Sequence, residues 1–210
     1  MRFPRISSLI IATTLACEGA EAPPSHDSGV RTSPMVQQPL PTLARNDDIC
    51  LISTTGVGPI RLGMTLDEAR KAIPRATFKR TSDGDGAALV EVAFAPDSAI
   101  VLYADEGDAE AAIDWSKHIT NIETSSTAFH TSAGVRPGAL VTEVERVYGK
   151  TRLVTLSEIE SRQYIEFETQ PAELTLRLDY TGVFKGDERT TKATRSGARI
   201  WSISVSAPRR

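Results

Sequence analysis

Ile60-Arg61-Leu62-Gly63, followed by Asp67-Glu68-Ala69, returns 75 residues later as Val135-Arg136-Pro137-Gly138 followed by Thr142-Glu143-Val144. Ile119-Thr120-Asn121-Ile122-Glu123-Thr124-Ser125 returns 81 residues later as Ile200-Trp201-Ser202-Ile203-Ser204-Val205-Ser206. Such self-similarity restricts the fold strongly, because each copy is then one supersecondary unit that buries its apolar surface against a neighbour. The six-residue difference between the two spacings places an insertion in the second copy.

Each copy reads alike. Gly63 or Gly138 ends a loop and opens a helix, with Leu66, Ala69 and Ile73 as the apolar stripe of the first and Leu140, Val144, Val147 and Tyr148 as that of the second. Thr65-Leu66-Asp67-Glu68 is a capping box, in which Thr65 accepts from an otherwise orphaned helix N–H and Glu68 reaches back; the second copy lacks it. Pro74 and Gly149 mark the helix ends, the first because it cannot continue a helix, the second as a left-handed cap. Four strands are predicted behind each helix, at 76–82, 87–95, 98–104 and 115–124, then at 151–157, 161–169, 173–180 and 198–206. Charged and large apolar residues alternate in the Ala88 to Phe94 and Tyr164 to Glu168 stretches, as in strands with one wet face. Ser82-Asp83-Gly84-Asp85-Gly86 has the chemistry of a hairpin turn. The expected class is α+β, a tandem duplication of a module with one helix packed on a small antiparallel β-sheet, the first module at 49–126 and the second at 127–210.

Ahead of the repeats, Arg2 and Arg5 precede an apolar stretch from Ile6 to Ala16, the anatomy of a secretory signal at 1–16. The stretch is too short to span a bilayer. It ends in Thr14-Leu15-Ala16-Cys17, which resembles the lipobox of bacterial lipoproteins and makes Cys17 the expected lipidation site, although Thr14 stands where a large aliphatic residue is usual. An ordinary signal cut after Ala20-Glu21-Ala22 is the alternative, and Pro23 directly behind that cut argues against it. Residues 17–48 carry Pro23, Pro24, Pro34, Pro39 and Pro41 with no period, which predicts a disordered tether. The expected location is the bacterial cell envelope, lipid-anchored, on the periplasmic or outer-membrane side. Cys50, next to Leu51 and Ile52, is expected to be a small buried hydrophobe.

The Ile60-Arg61-Leu62-Gly63-Met64-Thr65 stretch opening a helix, and its return about 75 residues on, resembles the modules of two families. One is the SmpA/OmlA outer-membrane-assembly lipoproteins; the other is that of the secreted β-lactamase inhibitory protein, built from two such modules. The second copy departs from the motif, with Ala139-Leu140 in place of Met-Thr. The resemblance implies protein binding through sheet or loop surfaces, with no catalysis and no cofactor, and it transfers no partner-contacting residue.

A net charge of −3 excludes a strongly basic nucleic-acid binder, so no nucleic-acid partner is expected. His118 and His130 have no second His at ligand spacing, and no nucleophile with its base is legible. Asp83 and Asp85 lack the remaining ligands of a calcium loop, and Gly56-Val57-Gly58 lacks the Lys of a phosphate loop and reads as a turn. No metal and no cofactor are expected. The sharpest feature is a contrast between the loops before the last strand of each copy. The first carries Asp105, Glu106, Asp108, Glu110 and Asp114; the second carries Lys185, Arg189, Lys192, Arg195 and Arg199 against Asp187 and Glu188. These charges are either solubilising surface or a partner-binding dipole, in which Asp105, Glu106, Asp108, Glu110, Lys185, Arg189, Lys192 and Arg195 steer a charged partner or pair two molecules head to tail. The leading expectation is a non-enzymatic envelope lipoprotein that binds an envelope protein. The alternatives are a small-ligand module using the groove between copies, with Tyr103, Trp115, Tyr180 or Trp201 lining it, and a hydrolase with dispersed catalytic residues.

Overall fold

The computed structural model describes residues 49–95, 97–158 and 160–207. The signal expected at 1–16, the lipidated Cys17 and the tether at 17–48 lie outside the described residues. In chain order the elements are β1 (Leu51–Ser53), β2 (Gly56–Val57), β3 (Ile60–Arg61), α1 (Leu66–Ala72), β4 (Thr77–Ser82), β5 (Ala88–Ala95), β6 (Ser98–Glu106), β7 (Asn121–Thr124), β8 (His130–Thr131), α2 (Val141–Tyr148), β9 (Thr151–Leu156), β10 (Gln163–Phe167), β11 (Leu174–Leu178), β12 (Thr190–Thr191) and β13 (Ile200–Ser206).

The expected α+β class is corrected by this inventory. The described chain is mostly β, with helices of only 7 and 8 residues. The strands assigned to two modules run together into one nine-stranded antiparallel sheet of order β12-β9-β10-β11-β13-β7-β6-β5-β4. A second sheet, β3-β2-β1-β8, adds four short strands, of which β1 and β8 are parallel. The physical reason is the pairing of β7 with β13, which leaves neither half with its own closed sheet.

Period-2 alternation places Val90 and Val92, Ile100 and Leu102, Leu174, Leu176 and Leu178, and Ile203 and Val205 in one buried cluster. The helices cover that cluster through Leu66 and Ala69 of α1 and Val141, Val144 and Tyr148 of α2. Val147, assigned to the apolar stripe, is instead exposed. Each fully buried aliphatic side chain contributes about 1.5–3 kcal/mol, so two-turn helices are held by packing rather than by their own propensity. Cys50 is half-buried against the cluster, and its carbonyl accepts the His130 N–H at 3.0 Å.

A backbone clasp repeats at the two spacings seen in the sequence. Gly63 N–H donates to Ile119 O (2.8 Å), Ile119 N–H to Met64 O (2.8 Å) and Leu66 N–H to Lys117 O (2.9 Å). Gly138 N–H donates to Ile200 O (2.7 Å), Ile200 N–H to Ala139 O (2.9 Å) and Val141 N–H to Ala198 O (2.9 Å). Gly63 and Gly138 sit at φ 81° and 84°, a region that favours glycine. The first helix has its full capping box. The second retains half of one, contrary to expectation, because the Glu143 carboxylate accepts the Leu140 N–H at 2.9 Å.

The clasps also use equivalent side chains. His118 Nδ1 lies 2.8 Å from Gly63 O, and Arg199 Nη1 donates to Gly138 O at 2.7 Å. A carbonyl only accepts, so His118 carries its proton on Nδ1. His118→Arg is therefore expected to leave the melting temperature unchanged, whereas His118→Ala costs about 1 kcal/mol, the net worth of one hydrogen bond. Thermal melts of the two variants check this.

The register of the central pair is symmetric. Ile203 faces Thr124 and Val205 faces Ile122, with Ser204 opposite Glu123. The 81-residue spacing turns Ile122 into Ile203 and Thr124 into Val205, so the pairing maps onto itself about a local twofold axis through the Glu123–Ser204 pair. β7, β6, β5 and β4 lie on one side of that axis and β13, β11, β10 and β9 on the other.

Candidate functional site

The acidic loop starts where β6 ends. Asp105 is exposed at φ 47°, while Glu106 turns inward and accepts from Arg80 Nη1 and Nη2, both at 2.6 Å, and from the Asp114 N–H at 2.6 Å. Arg80 spends its other donors on the carbonyls of Ala111 (3.1 Å) and Ala112 (3.0 Å), so one β4 side chain straps the whole loop across the fourth strand from the axis. Burial by itself raises the Glu106 pKa, but the Arg80 guanidinium and the Asp114 N–H outweigh it and leave the carboxyl below its ordinary value. Asp108 and Glu110 are exposed, with Glu110 N–H donating to Asp108 Oδ1 at 2.9 Å. Trp115 closes the strap, packed edge-on to Phe78 with the Arg70 guanidinium 4.3 Å above its ring.

The basic loop is a hairpin. Val183 N–H donates to Ala193 O (2.9 Å), Arg195 N–H to Thr181 O (2.8 Å) and Gly182 N–H to the buried Gln163 Oε1 (2.8 Å). Its tip forms β12, which pairs Thr190 and Thr191 with Thr155 and Val154 of β9. Lys185, Arg189, Lys192 and Arg195 are all exposed. The two charged loops thus lie against β4 and β9, the fourth strands on opposite sides of the axis, and the structure does not bring them into one site.

The sheet face away from the helices holds what alternation missed. Ile200 and Ile203 are both buried on the core side, because the β11–β13 register shifts between Arg177 and Leu178. The bulge therefore turns Trp201 and Ser202 consecutively to the other face. Trp201 is 53% exposed, and Tyr180, at φ 64°, is 50% exposed. Arg177 donates through Nη2 to Tyr180 Oη at 2.7 Å, with its guanidinium 5.6 Å from that ring. Towards the axis, Tyr103 Oη (3.0 Å) and the buried Ser202 Oγ (2.5 Å) both donate to Glu123. Burial and then the Glu123 carboxylate hold the Tyr103 phenol well above its usual pKa, so it stays a neutral donor. Two further polar atoms there, Asn121 Oδ1 and Arg177 Nε, are buried without a hydrogen-bond partner, an arrangement proteins seldom tolerate without a use for the group.

The other candidates disperse. His118 serves its clasp, and His130 Nδ1 lies 3.1 Å from Thr131 O. Trp115 sits at the β4 strap, apart from Tyr180 and Trp201. Two shallow cavities, of about 270 Å³ beside Val144 and Val147 and about 410 Å³ beside Arg61 and Glu173, contain none of the four aromatics proposed for a groove. Asp83 and Asp85 meet Glu160 of the β9–β10 turn with carboxylate oxygens within 4.8 Å of one another, a neighbour that spacing did not predict. These offer three of the 6–8 oxygens that calcium takes, and Glu160 is already paired with Arg162 Nε at 2.6 Å.

No family model and no curated protein matches the chain. Among solved structures it is similar to the uncharacterized protein yfeY from Escherichia coli, at a TM-score of 0.49 and 17% identity, covering 75% of this chain and 99% of that one. That likeness is too distant to transfer a function.

Proposed function

We propose that this chain is a non-enzymatic cell-envelope lipoprotein that binds a protein partner, with Trp201 and Tyr180 as the anchors of the contact. The observation that carries the reading is the exposure of these two large rings beside Arg177, Trp201 on strand β13 and Tyr180 just past the end of β11, where the Arg177 guanidinium holds its hydroxyl. Trp, Tyr and Arg are the residues that dominate binding energy at protein interfaces. Tyr surfaces add contact area and hydrogen bonding at low entropy cost, and the half-buried Tyr103 and Tyr164 lie on the same sheet. The likeness of the loop–helix openings to the two envelope and inhibitor families points the same way. Neither shallow cavity has the aromatic lining of a small-ligand site.

The test is capture of partners from detergent-solubilised envelopes with the full chain as bait. Trp201→Ala and Tyr180→Ala are each expected to weaken the captured interaction by about 30-fold, since an anchor of this kind is worth about 2 kcal/mol. The melting temperature should stay put, because both rings are half in water already. An unchanged affinity, or a bait that captures nothing, overturns the reading.

A further inference from the structure

We propose that the acidic strap on β4 and the basic hairpin on β9 are the two halves of a head-to-tail contact between copies of this chain. The partner is a second copy, recognised by the charge that the first copy carries at the position related by the twofold axis.

Three observations carry this. First, the loops are equivalent in place and opposite in net sign: each follows the second strand from the axis, β6 or β11, each lies against the fourth, and one exposes Asp105, Asp108 and Glu110 while the other exposes Lys185, Arg189, Lys192 and Arg195 against Asp187 and Glu188. The curl of the sheet brings the β4–β5 turn, with Asp83 and Asp85, up to Glu160 of the β9–β10 turn, yet the exposed charges of the two loops are not spent on each other. Among the described residues, none of these seven side chains enters an ion pair, whereas Arg80–Glu106 is formed within the strap itself and Arg152–Glu166 and Arg162–Glu160 are formed elsewhere.

Second, both loops are held. Arg80 ties the strap to β4 through two carbonyls and Glu106, and the hairpin is pinned by Gln163, by the β12–β9 pairs and by Leu156 N–H to Arg189 O at 2.8 Å. Charges on an anchored frame lose less entropy on pairing than charges on a free loop.

Third, pairing an acidic surface with a different, basic surface is a heterologous contact, which joins copy to copy into a ring or an open row rather than an isologous dimer. An assembly of several copies, ring or row, is therefore the expected product, and its strength follows the salt. At about 10 mM salt the charges act over about 30 Å, and at about 1 M over about 3 Å.

Sedimentation velocity of the full chain carrying Cys17→Ser tests it, since no acyl chain then contributes to association. The average mass is expected to rise with concentration at low salt and to fall to one chain at high salt. An acid-neutralised variant (Asp105→Asn, Asp108→Asn, Glu110→Gln) and a base-neutralised variant (Lys185→Gln, Arg189→Gln, Lys192→Gln, Arg195→Gln) should each remain single. Asn suits the left-handed Asp105 and keeps the Asp108 acceptor, so the fold is kept. Mixed in equal amounts, the two variants should form pairs and nothing larger, because each supplies one competent surface. A mass independent of concentration at low salt overturns the proposal, and so does either variant associating alone as the parent does. Capture of a different protein through Trp201 and Tyr180 is read separately, so either idea can fail while the other stands.

Discussion

Gly56→Ala is expected to break the small sheet and lower the melting temperature by about 12 °C. A Cβ at Gly56 would stand 2.0 Å from the carbonyl oxygen of Ile60 and 2.9 Å from Arg61 Cα, both backbone atoms. No rotamer change relieves that collision, so β2 and β3 must separate. Val57 and Ile60, at 1% and 0% exposure, then lose their cover. Burying two such side chains contributes about 4 kcal/mol, and a domain of this size shifts by about 2–4 °C per kcal/mol. Gly84→Ala is the control: nothing lies within 4 Å of its Cβ, and its melt should match the parent. Equal melts for both variants would show that β2 and β3 do not pack as described.

Glu106→Gln should cost about 3 kcal/mol, the lower end of what breaking a buried ion pair costs. Glu106 and Arg80 have side chains 5% and 16% exposed, so the amide leaves a largely buried guanidinium without its counter-charge. The pH dependence has a fixed sign. The fold holds this carboxyl below its ordinary pKa, so its contribution is complete above about 4.3, the unfolded value, and is lost as pH falls through the folded value. Melts of parent and variant should therefore differ most near neutral pH and converge in acid. Replacing both partners, Arg80→Met with Glu106→Leu, is expected to recover most of the loss while freeing the 107–114 strap. A constant gap between parent and Glu106→Gln at every pH would overturn this account of the strap.

Much of the strand inventory was legible because alternation is a local signal. The observed β4, β5, β6, β9, β10 and β11 begin and end within two residues of the predicted spans. What joins to what was not legible. Nothing in the Asn121 to Thr124 stretch says that its neighbour is the last strand of the other copy, and the α+β reading failed because each short helix was given a sheet of its own. Two-residue strands such as β2, β3, β8 and β12 carry no period at all. The charged loops were readable as compositions, but Glu106 differs from Asp105 only in pointing toward Arg80, a side chain on another strand. Trp201 could have been placed better: Ile200 and Ile203, apolar at a spacing of three inside a strand, already signal a bulge.

The pairing of β7 with β13 has a consequence in time. β13 follows every strand from β1 to β12 in the chain and is therefore synthesised after them, and the contact joins residues about 80 positions apart in the sequence. Contacts of that range are the slow ones to form. Until the seven-residue β13 docks, each half exposes one unsatisfied strand edge at the very middle of the finished sheet, the kind of edge that recruits the wrong chain. The rate at which β13 finds its slot, rather than the formation of any hairpin before it, then governs how long the newborn molecule stays at risk of clumping.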